Sequence, residues 1–548
     1  MRGEPGYLLM NNTGCHRKIC VRPYIPGGGI YSCRLFEGLP VILLGVFLLI
    51  SCATHALLHD QVEITPTYAL PPATEGEIFH LAERLAQESN RENSTFLTIP
   101  DNMEALRWRL LLVDLARQSI DIQSFLWNGD ESGDLLGLHL LDAADRGVRV
   151  RVLVDDLFLL KSDDDISILN SHPNVEIRIF NPWRKRGSLF QRGLEFLGNL
   201  ERLNQRMHNK MFVVDNHAAI VGGRNIGNAY FGLSDNYNFR DFEIVGFGPV
   251  VEEISESFDI YWNDDWATPG AAFARPGKTL QSLAILRSQL TDELADSEKI
   301  IAADLDEPSQ WRPYLDRLTG KNGVNRVWVV YDDPPSAVAN DEGVRKVEKL
   351  RDLDADISKE LLIASPYFIP TEPFLEEIHR LVQQGVRVRI ITNSLASTNH
   401  TIVNSGYRQW RRKLLKAGVE LYEYRAGAED ITEVVAPGLQ GRFQTLHTKT
   451  FVIDDEVVYV GSLNMDPRSF HINTEMGLLI QYPALAKRVI AMLERDMKPE
   501  NSWHVTLDEE GSIVWHSAAG TIYIQPTRYL GQRIVDFFYG LLPIKEHL

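Results

Sequence analysis

The sequence predicts an α/β protein built twice: two homologous halves, each a mixed sheet flanked by helices, packed about a pseudo-twofold axis. Three observations lead there. HNKMFVVDNHAAIVGGRN begins at His208, and 239 positions later HTKTFVIDDEVVYVGSLN begins at His447. Each is preceded by another matched stretch, RGVRVRVLVDD from Arg146 and QGVRVRIITNS from Gln384, so Gly147 lies 61 residues before His208 and Gly385 lies 62 before His447. Between these landmarks the apolar runs alternate with spans long enough for helices, which reads as crossover connections in a parallel or mixed sheet.

The chain opens on a leader, taken as residues 1–52. LPVILLGVFLLISC, from Leu39 to Cys52, is a 12-residue apolar run closed by Ser51 and Cys52, and the 38 residues ahead of it carry five Lys or Arg against two Glu. It is short for a membrane span and the right length for the apolar core of a secretory signal. Leu49-Ile50-Ser51-Cys52 resembles the bacterial lipobox, which implies cleavage before Cys52 and lipid on its sulfur; an uncleaved anchor extended toward Leu58 is the alternative. Both put the protein at a membrane of the cell envelope.

The first half, 53–310, runs through a strand (SIDIQSFLW from Ser119), a helix, the GVRVR strand, another helix, a short strand (NVEIRIF from Asn174) and the first His stretch. From about Thr268 to Lys321 this pattern lapses and Pro269, Pro276, Pro308 and Pro313 punctuate the chain, which places the join there. The second half, 311–548, begins with NRVWVVYDDPP as an extra strand, then repeats the order with ELLIASPYF, QGVRVRIITNS, GVELYEY and the second His stretch. VDFFYGLLPI, from Val535, reads as a tail docked on the core, or alternatively as an edge that touches a membrane.

Composition narrows the function. With 44% apolar and 24% charged residues the chain is globular, and a net charge of -18 repels phosphate polymers, which argues against a nucleic-acid partner. Cys15, Cys20, Cys33 and Cys52 all lie in the leader, so the main body forms neither a disulfide nor a cysteine zinc site. Two basic stretches, Arg184–Arg206 with six basic and two acidic residues and Arg408–Lys416 with five basic and none acidic, suit anionic headgroups or simply a solvated helix face.

The repeated stretch carries the chemistry. Alternate residues of a strand share a face, so His208 and Lys210 point together, as do His447 and Lys449. Asp215 and Asp454 fall in hairpin turns, Gly222 and Gly461 let a backbone approach a bulky anion, and Asn225 and Asn464 add a neutral donor beside each Lys. Displacement at a phosphodiester needs a nucleophile, an acid for the leaving oxygen, and positive charge around the equatorial oxygens. Two halves meeting at an axis supply one His for each role and two Lys for the charge, with no metal. Each His also needs its far ring nitrogen held by a carboxylate. RDFEIVGFG, from Arg240, and NTEMGLLI, from Asn473, align at Glu243 and Glu475, which take that role; Asp241 competes for the first position.

This doubled His-x-Lys pattern, with four residues between Lys and Asp, resembles the phospholipase D superfamily over most of the chain after about residue 80. GSLNMDPRS from Gly461, NSGYRQWRRKLLKAGVELYEY from Asn404 and the apolar leader are similar to the bacterial cardiolipin synthases, the C type in particular. The resemblance implies two packed α/β repeats, a central groove, a covalent phosphohistidine and no metal or other cofactor. It implies His208 as nucleophile and His447 as general acid, although symmetry alone does not say which attacks. It makes Lys210, Lys449, Asn225, Asn464 and Ser462 phosphate-holding positions, and Asp215 and Asp454 the motif aspartates of more structural role. Gly223 stands where the second copy has Ser462, so a hydroxyl contact exists on one side only. The implied reaction joins phosphatidylglycerol to a phosphatidyl group taken from phosphatidylglycerol or phosphatidylethanolamine. The alternatives are hydrolysis to phosphatidic acid, or a phosphodiesterase or nuclease of the same superfamily. The need for an accessory protein is left open.

Overall fold

The computed structural model describes residues 65–541 except 158–162, 185–188, 274–279, 302–307, 321–322, 340–342, 345–356, 431, 437–438 and 440. The leader and Cys52 lie outside the described residues.

Two large sheets form from the two halves. The first contains β1 (Thr95–Ile99), β2 (Ser119–Ser124), β3 (Arg149–Asp155), β4 (Val175–Phe180), β5 (Met211–Val214), β6 (Ala218–Gly222), β8 (Glu243–Phe247) and β9 (Ala267–Pro269), in the order β1-β8-β6-β5-β2-β3-β4-β9. The second contains β10 (Val327–Tyr331), β11 (Glu360–Ala364), β12 (Arg387–Asn393), β13 (Glu420–Tyr424), β15 (Thr450–Ile453), β16 (Val457–Gly461), β17 (Met476–Gln481), β18 (Ser502–Leu507), β19 (Ile513–Ser517) and β20 (Gly520–Ile522), in the order β10-β17-β16-β15-β11-β12-β13-β18-β19-β20. In each, three parallel strands stand beside an antiparallel hairpin, β2-β3-β4 next to β5-β6 and β11-β12-β13 next to β15-β16. The strand from Val327 is therefore no addition. It pairs β17 antiparallel just as β1 pairs β8, and the weakly matching sequence TFLTI had hidden its counterpart. A separate two-stranded parallel pair, β7 (Tyr237–Arg240) with β14 (Phe443–Leu446), joins the halves.

The matched GVRVR stretches have a local cause. Gly147 and Gly385 adopt φ of 94° and 89°, the left-handed conformation that ends a helix. Their N–H groups, and those of Val148 and Val386, bond back to the last helical turn before the chain enters β3 or β12. Helices α1 (Asn102–Leu115) and α2 (Glu131–Asp145) cover the outer face of the first sheet; α3 (Leu189–Gly198) and α4 (Leu200–Asn204) lead toward His208. On the second sheet α5 (Glu372–Gln383) covers the outer face, followed by α6 (Thr401–Arg408) and α7 (Arg411–Lys416), and the described chain ends with α8 (Leu530–Tyr539). The inner faces pack on each other: Met211, Val213 and Val221 share one buried core with Val452, Val460 and Leu478. Each sheet is thus apolar on both faces, and a wall of aliphatic packing fixes the two His stretches relative to one another.

Candidate active site

Each His-x-Lys lies in the extended lead-in to a strand rather than in the strand itself, just ahead of β5 and β15. What positions them is pairing across the halves. The His208 N–H donates to the Thr474 carbonyl at 2.9 Å, and the His447 N–H donates to the Arg240 carbonyl at 2.8 Å. The residue after each of those carbonyls supplies a carboxylate. Nδ1 of His208 lies 2.8 Å from Oε2 of Glu475, and Nδ1 of His447 lies 2.6 Å from Oδ2 of Asp241. The support is crosswise, each histidine leaning on the opposite half.

This arrangement corrects the assignment of Glu243. Its carboxylate makes a two-pronged buried ion pair with Arg109, at 2.6 and 2.8 Å, and is directed to the outer side of the sheet. Sheet register shows why the sequence alignment slipped. Gly222 pairs with Glu243 while Gly461 pairs with Gly477, so Asp241, not Glu243, is the counterpart of Glu475. A two-residue slip keeps the same face of the strand, so the apolar pattern was left intact.

Ser462 is also relocated. Fully buried, its hydroxyl donates to Glu475 and its oxygen accepts from the Met476 N–H at 3.0 Å, so it braces the carboxylate rather than meeting a phosphate. In the first half Gly223 stands there because a Cβ would come within 2.4 Å of the Asp241 carboxylate. Asp215 and Asp454 sit in type I′ turns at φ of 53° and 52°. Asp215 accepts the N–H groups of Arg117, Gln118 and Ser119, and Asp454 those of Ser358, Lys359 and Glu360. They tie each hairpin to the start of the neighbouring strand, roughly 16 Å of extended chain beyond the Lys, and are structural rather than catalytic.

The lysines fold back on the motif: Nζ of Lys210 donates to the His208 carbonyl and Nζ of Lys449 to the His447 carbonyl, both at 2.7 Å. Asn225 holds the Tyr230 hydroxyl at 2.8 Å and Asn464 the Ser469 hydroxyl at 3.4 Å, and in both the other end of the buried amide has no partner among the described residues. Because a hydroxyl can donate as well as accept, either amide can turn its NH2 toward an incoming phosphate oxygen. Phe125 lies edge-on to His208 at 4.9 Å, and Phe239 and Tyr230 flank His447 at 4.6 and 5.3 Å. Two residues that the alignment contained but chemistry did not single out fix the approach. Asp155, at the end of β3, accepts the Met207 N–H, and Asn393, at the same place in β12, accepts the Leu446 N–H and donates to its carbonyl. They hold the residue before each histidine.

Burial governs the ionisation. It pushes His208 well below its ordinary value, helped by the Lys210, Lys449 and Arg468 cations, and pushes His447 down to about 3 against the pull of Asp241. Burial thus favours the neutral imidazoles, each donating its Nδ1–H in a hydrogen bond to a carboxylate and keeping an Nε2 lone pair. Burial also brings Lys210 down to about 7 and Lys449 to about 8. The carboxylates differ. Burial raises Glu475 to about 7, whereas His447 and Lys449 outweigh burial at Asp241 and hold it below the usual carboxylate range. An arriving phosphate anion replaces lost hydration around both lysines and favours their charged forms. Among the described residues no group of three or more His, Cys, Asp or Glu is placed to hold a metal ion.

Two buried histidines with crosswise carboxylates, two lysines and two amides in one cluster define a duplicated phosphoryl-transfer site. The chain matches a family model described as cardiolipin synthase, PLD-like domain, over residues 111–262 and 355–497. It is 34% identical over 466 residues to cardiolipin synthase C of Escherichia coli K12, covering 81% of this chain and 94% of that one. It is 25% identical to the major cardiolipin synthase ClsA of Bacillus subtilis 168, covering 74% of this chain and 69% of that one. Among solved structures it resembles phosphatidylserine synthase of Haemophilus influenzae Rd KW20, with a TM-score of 0.54, 17% identity, and coverage of 85% of this chain and all of the other. That last likeness speaks to fold. The chain belongs to the cardiolipin synthase, PLD-like domain family, and is a phospholipase D-type phosphatidyltransferase.

Proposed function

We propose that the protein makes cardiolipin through a phosphatidyl-His208 intermediate. Nε2 of His208 attacks the phosphorus of a donor phospholipid, phosphatidylglycerol or phosphatidylethanolamine, while the headgroup alcohol leaves with the Nε2 proton of His447, which takes up that proton beside Asp241 when the phosphate anion binds. The glycerol hydroxyl of phosphatidylglycerol then attacks the intermediate, gives its proton to His447, and releases neutral His208. Lys210, Lys449, Asn225 and Asn464 surround the equatorial oxygens through both steps.

The observation that carries this reading is the crosswise pairing of two buried histidines with Glu475 and Asp241. The difference between the carboxylates supports the division of roles. Asp241, held ionised, stabilises the imidazolium form in which His447 acts as general acid and to which it returns as general base, and Glu475 suits a histidine that attacks as the neutral imidazole. The family and the 34% identical relative support cardiolipin as product. Both acceptor and donor are bilayer lipids, which favours work at a membrane; no described helix is long and apolar enough to cross one.

The test is lipid mass spectrometry on the purified protein in mixed phosphatidylglycerol and phosphatidylethanolamine vesicles, with His208→Ala as blank. Cardiolipin from wild type alone is expected, and the released headgroup names the donor. Phosphatidic acid as sole product would replace synthesis by hydrolysis.

A further inference from the structure

The last described helix is built inside out. In α8 the residues turned into the protein are polar: Gln532 is 0% exposed and Asp536 1%, whereas Leu530, at 71%, and Phe538, at 61%, face outward with Ile534, Phe537 and Leu541. These positions recur at the helical period, so a continuous apolar stripe points away from the core. The polar face is well used. Gln532 donates to the Leu395 carbonyl at 2.6 Å, and Asp536 pairs with Arg408 of α6 at 3.1 Å. Nothing among the described residues covers the stripe, and a core-docked tail, the expectation from its composition, would have shown the reverse.

The stripe adjoins the active site. Leu395 lies two residues beyond Asn393, whose amide grips the residue before His447. Arg528, just ahead of α8, places its guanidinium 3.8 Å over the ring of Phe443 on β14, the strand that delivers His447. On the His208 side a second exposed apolar group occurs on α3 and α4, where Leu197 is 79% exposed, with Leu194 and Leu200. It ends at Asn204, whose carbonyl and side chain accept from Arg468. α8 packs on α6 through the Arg408–Asp536 pair, and α7, which follows α6, exposes Arg412 and Lys416; beside Leu194 on α3, Arg192 is half-buried.

We propose that α8, together with α3 and α4, is the surface by which the protein lies on an anionic phospholipid bilayer, setting the mouth of the site against the lipid headgroups. The inference rests on the lipid-transfer reading of that site. An outward stripe of ring and aliphatic side chains has the composition of an in-plane interfacial helix, its apolar groups entering the headgroup boundary while exposed Arg412 and Lys416 of α7 meet phosphates. The energetic sense is direct: the polar face already bonds to the protein, and contact with lipid removes the apolar face from water.

A fluorescent amino acid replaces Phe538, Leu197 or, as a control far from the site, exposed Ile285 on the helix Leu280–Ile301 of the full chain. Vesicles of phosphatidylglycerol and phosphatidylethanolamine carry a quencher in the acyl region. Quenching at 538 and 197 beyond that at 285 is expected; equal quenching at all three overturns the proposal. Independently, Phe537→Glu/Phe538→Glu should lose about tenfold in transfer on vesicles and keep it on the same lipids in detergent micelles. Unchanged transfer on vesicles also overturns it. Quenching at 538 and 197 from a wild type that forms no lipid product would leave the docking surface standing and refute the function.

Discussion

Asp241 and Glu243 lie two residues apart and are both buried carboxylates, yet the account assigns them different work. Asp241→Asn removes the negative charge 2.6 Å from Nδ1 of His447 while keeping the residue's shape. With the imidazolium and carboxylate charges about 4 Å apart and an effective dielectric near 20, the lost attraction is about 4 kcal/mol, or roughly a thousandfold in any step that needs protonated His447. Glu243→Gln instead strips Arg109 of its partner, a side chain 5% exposed, and should cost about 3–5 kcal/mol of stability with little effect on turnover below the lowered melting point. The assay measures the single-turnover rate of leaving-group release from two phosphatidyl donors, one releasing ethanolamine and one releasing p-nitrophenol, beside calorimetric melting. Asp241→Asn should be impaired severely with the poor leaving group and far less with p-nitrophenolate, which needs no acid to depart. Equal loss on both donors, or a thousandfold loss from Glu243→Gln at unchanged stability, would exclude these roles for Asp241 and Glu243.

Three further outcomes are expected. Lys210 and Lys449, lowered by burial to about 7 and about 8, hold phosphate only when protonated, so kcat/KM should fall as pH rises through that range and Lys449→Arg should carry activity higher; a profile flat to about pH 10 contradicts this. Their folded values lie below the ordinary 10.5, so between these limits the unfolded chain binds more protons, and their contribution to stability, read by melting, grows with pH. Asp215→Ala orphans three N–H groups at the start of β2 and should cost about 3 kcal/mol, whereas Asp454→Ala, in a more exposed turn, should cost about 1 kcal/mol; chemical denaturation measures both, and turnover of the folded variants should persist.

Much of the fold was legible because duplication lets one half check the other. The parallel strands, the hairpins and the helix-ending Gly147 and Gly385 all repeat in kind and spacing. The strand at β1 was missed because TFLTI shares only its apolar character with VWVVY, and pairing with β8 is a long-range fact. In the site, His, Lys and Asn were visible as identities at fixed spacing. Their carboxylate partners were harder, since strand periodicity repeats every two residues and a slip from Asp241 to Glu243 keeps the face pattern. Crosswise support is invisible within either half read alone: it arises where His208 pairs with Thr474 and His447 with Arg240. The tail misled for another reason. Apolar composition does not say which face of a helix is turned inward, and hydrogen bonds from Gln532 together with the Arg408–Asp536 pair decided it against the hydrophobic stripe.

The proposed mechanism turns on a covalent bond between phosphorus and Nε2 of His208, which His447→Ala should trap by removing the group that admits the second alcohol. Incubated with phosphatidyl-p-nitrophenol, acid-sensitive adducts being kept at neutral pH, the variant should accumulate one phosphatidyl group, located by peptide mass spectrometry on His208. An adduct on His447 of the converse His208→Ala variant instead, or release of the leaving group in a single turnover with no adduct on either histidine, would contradict it.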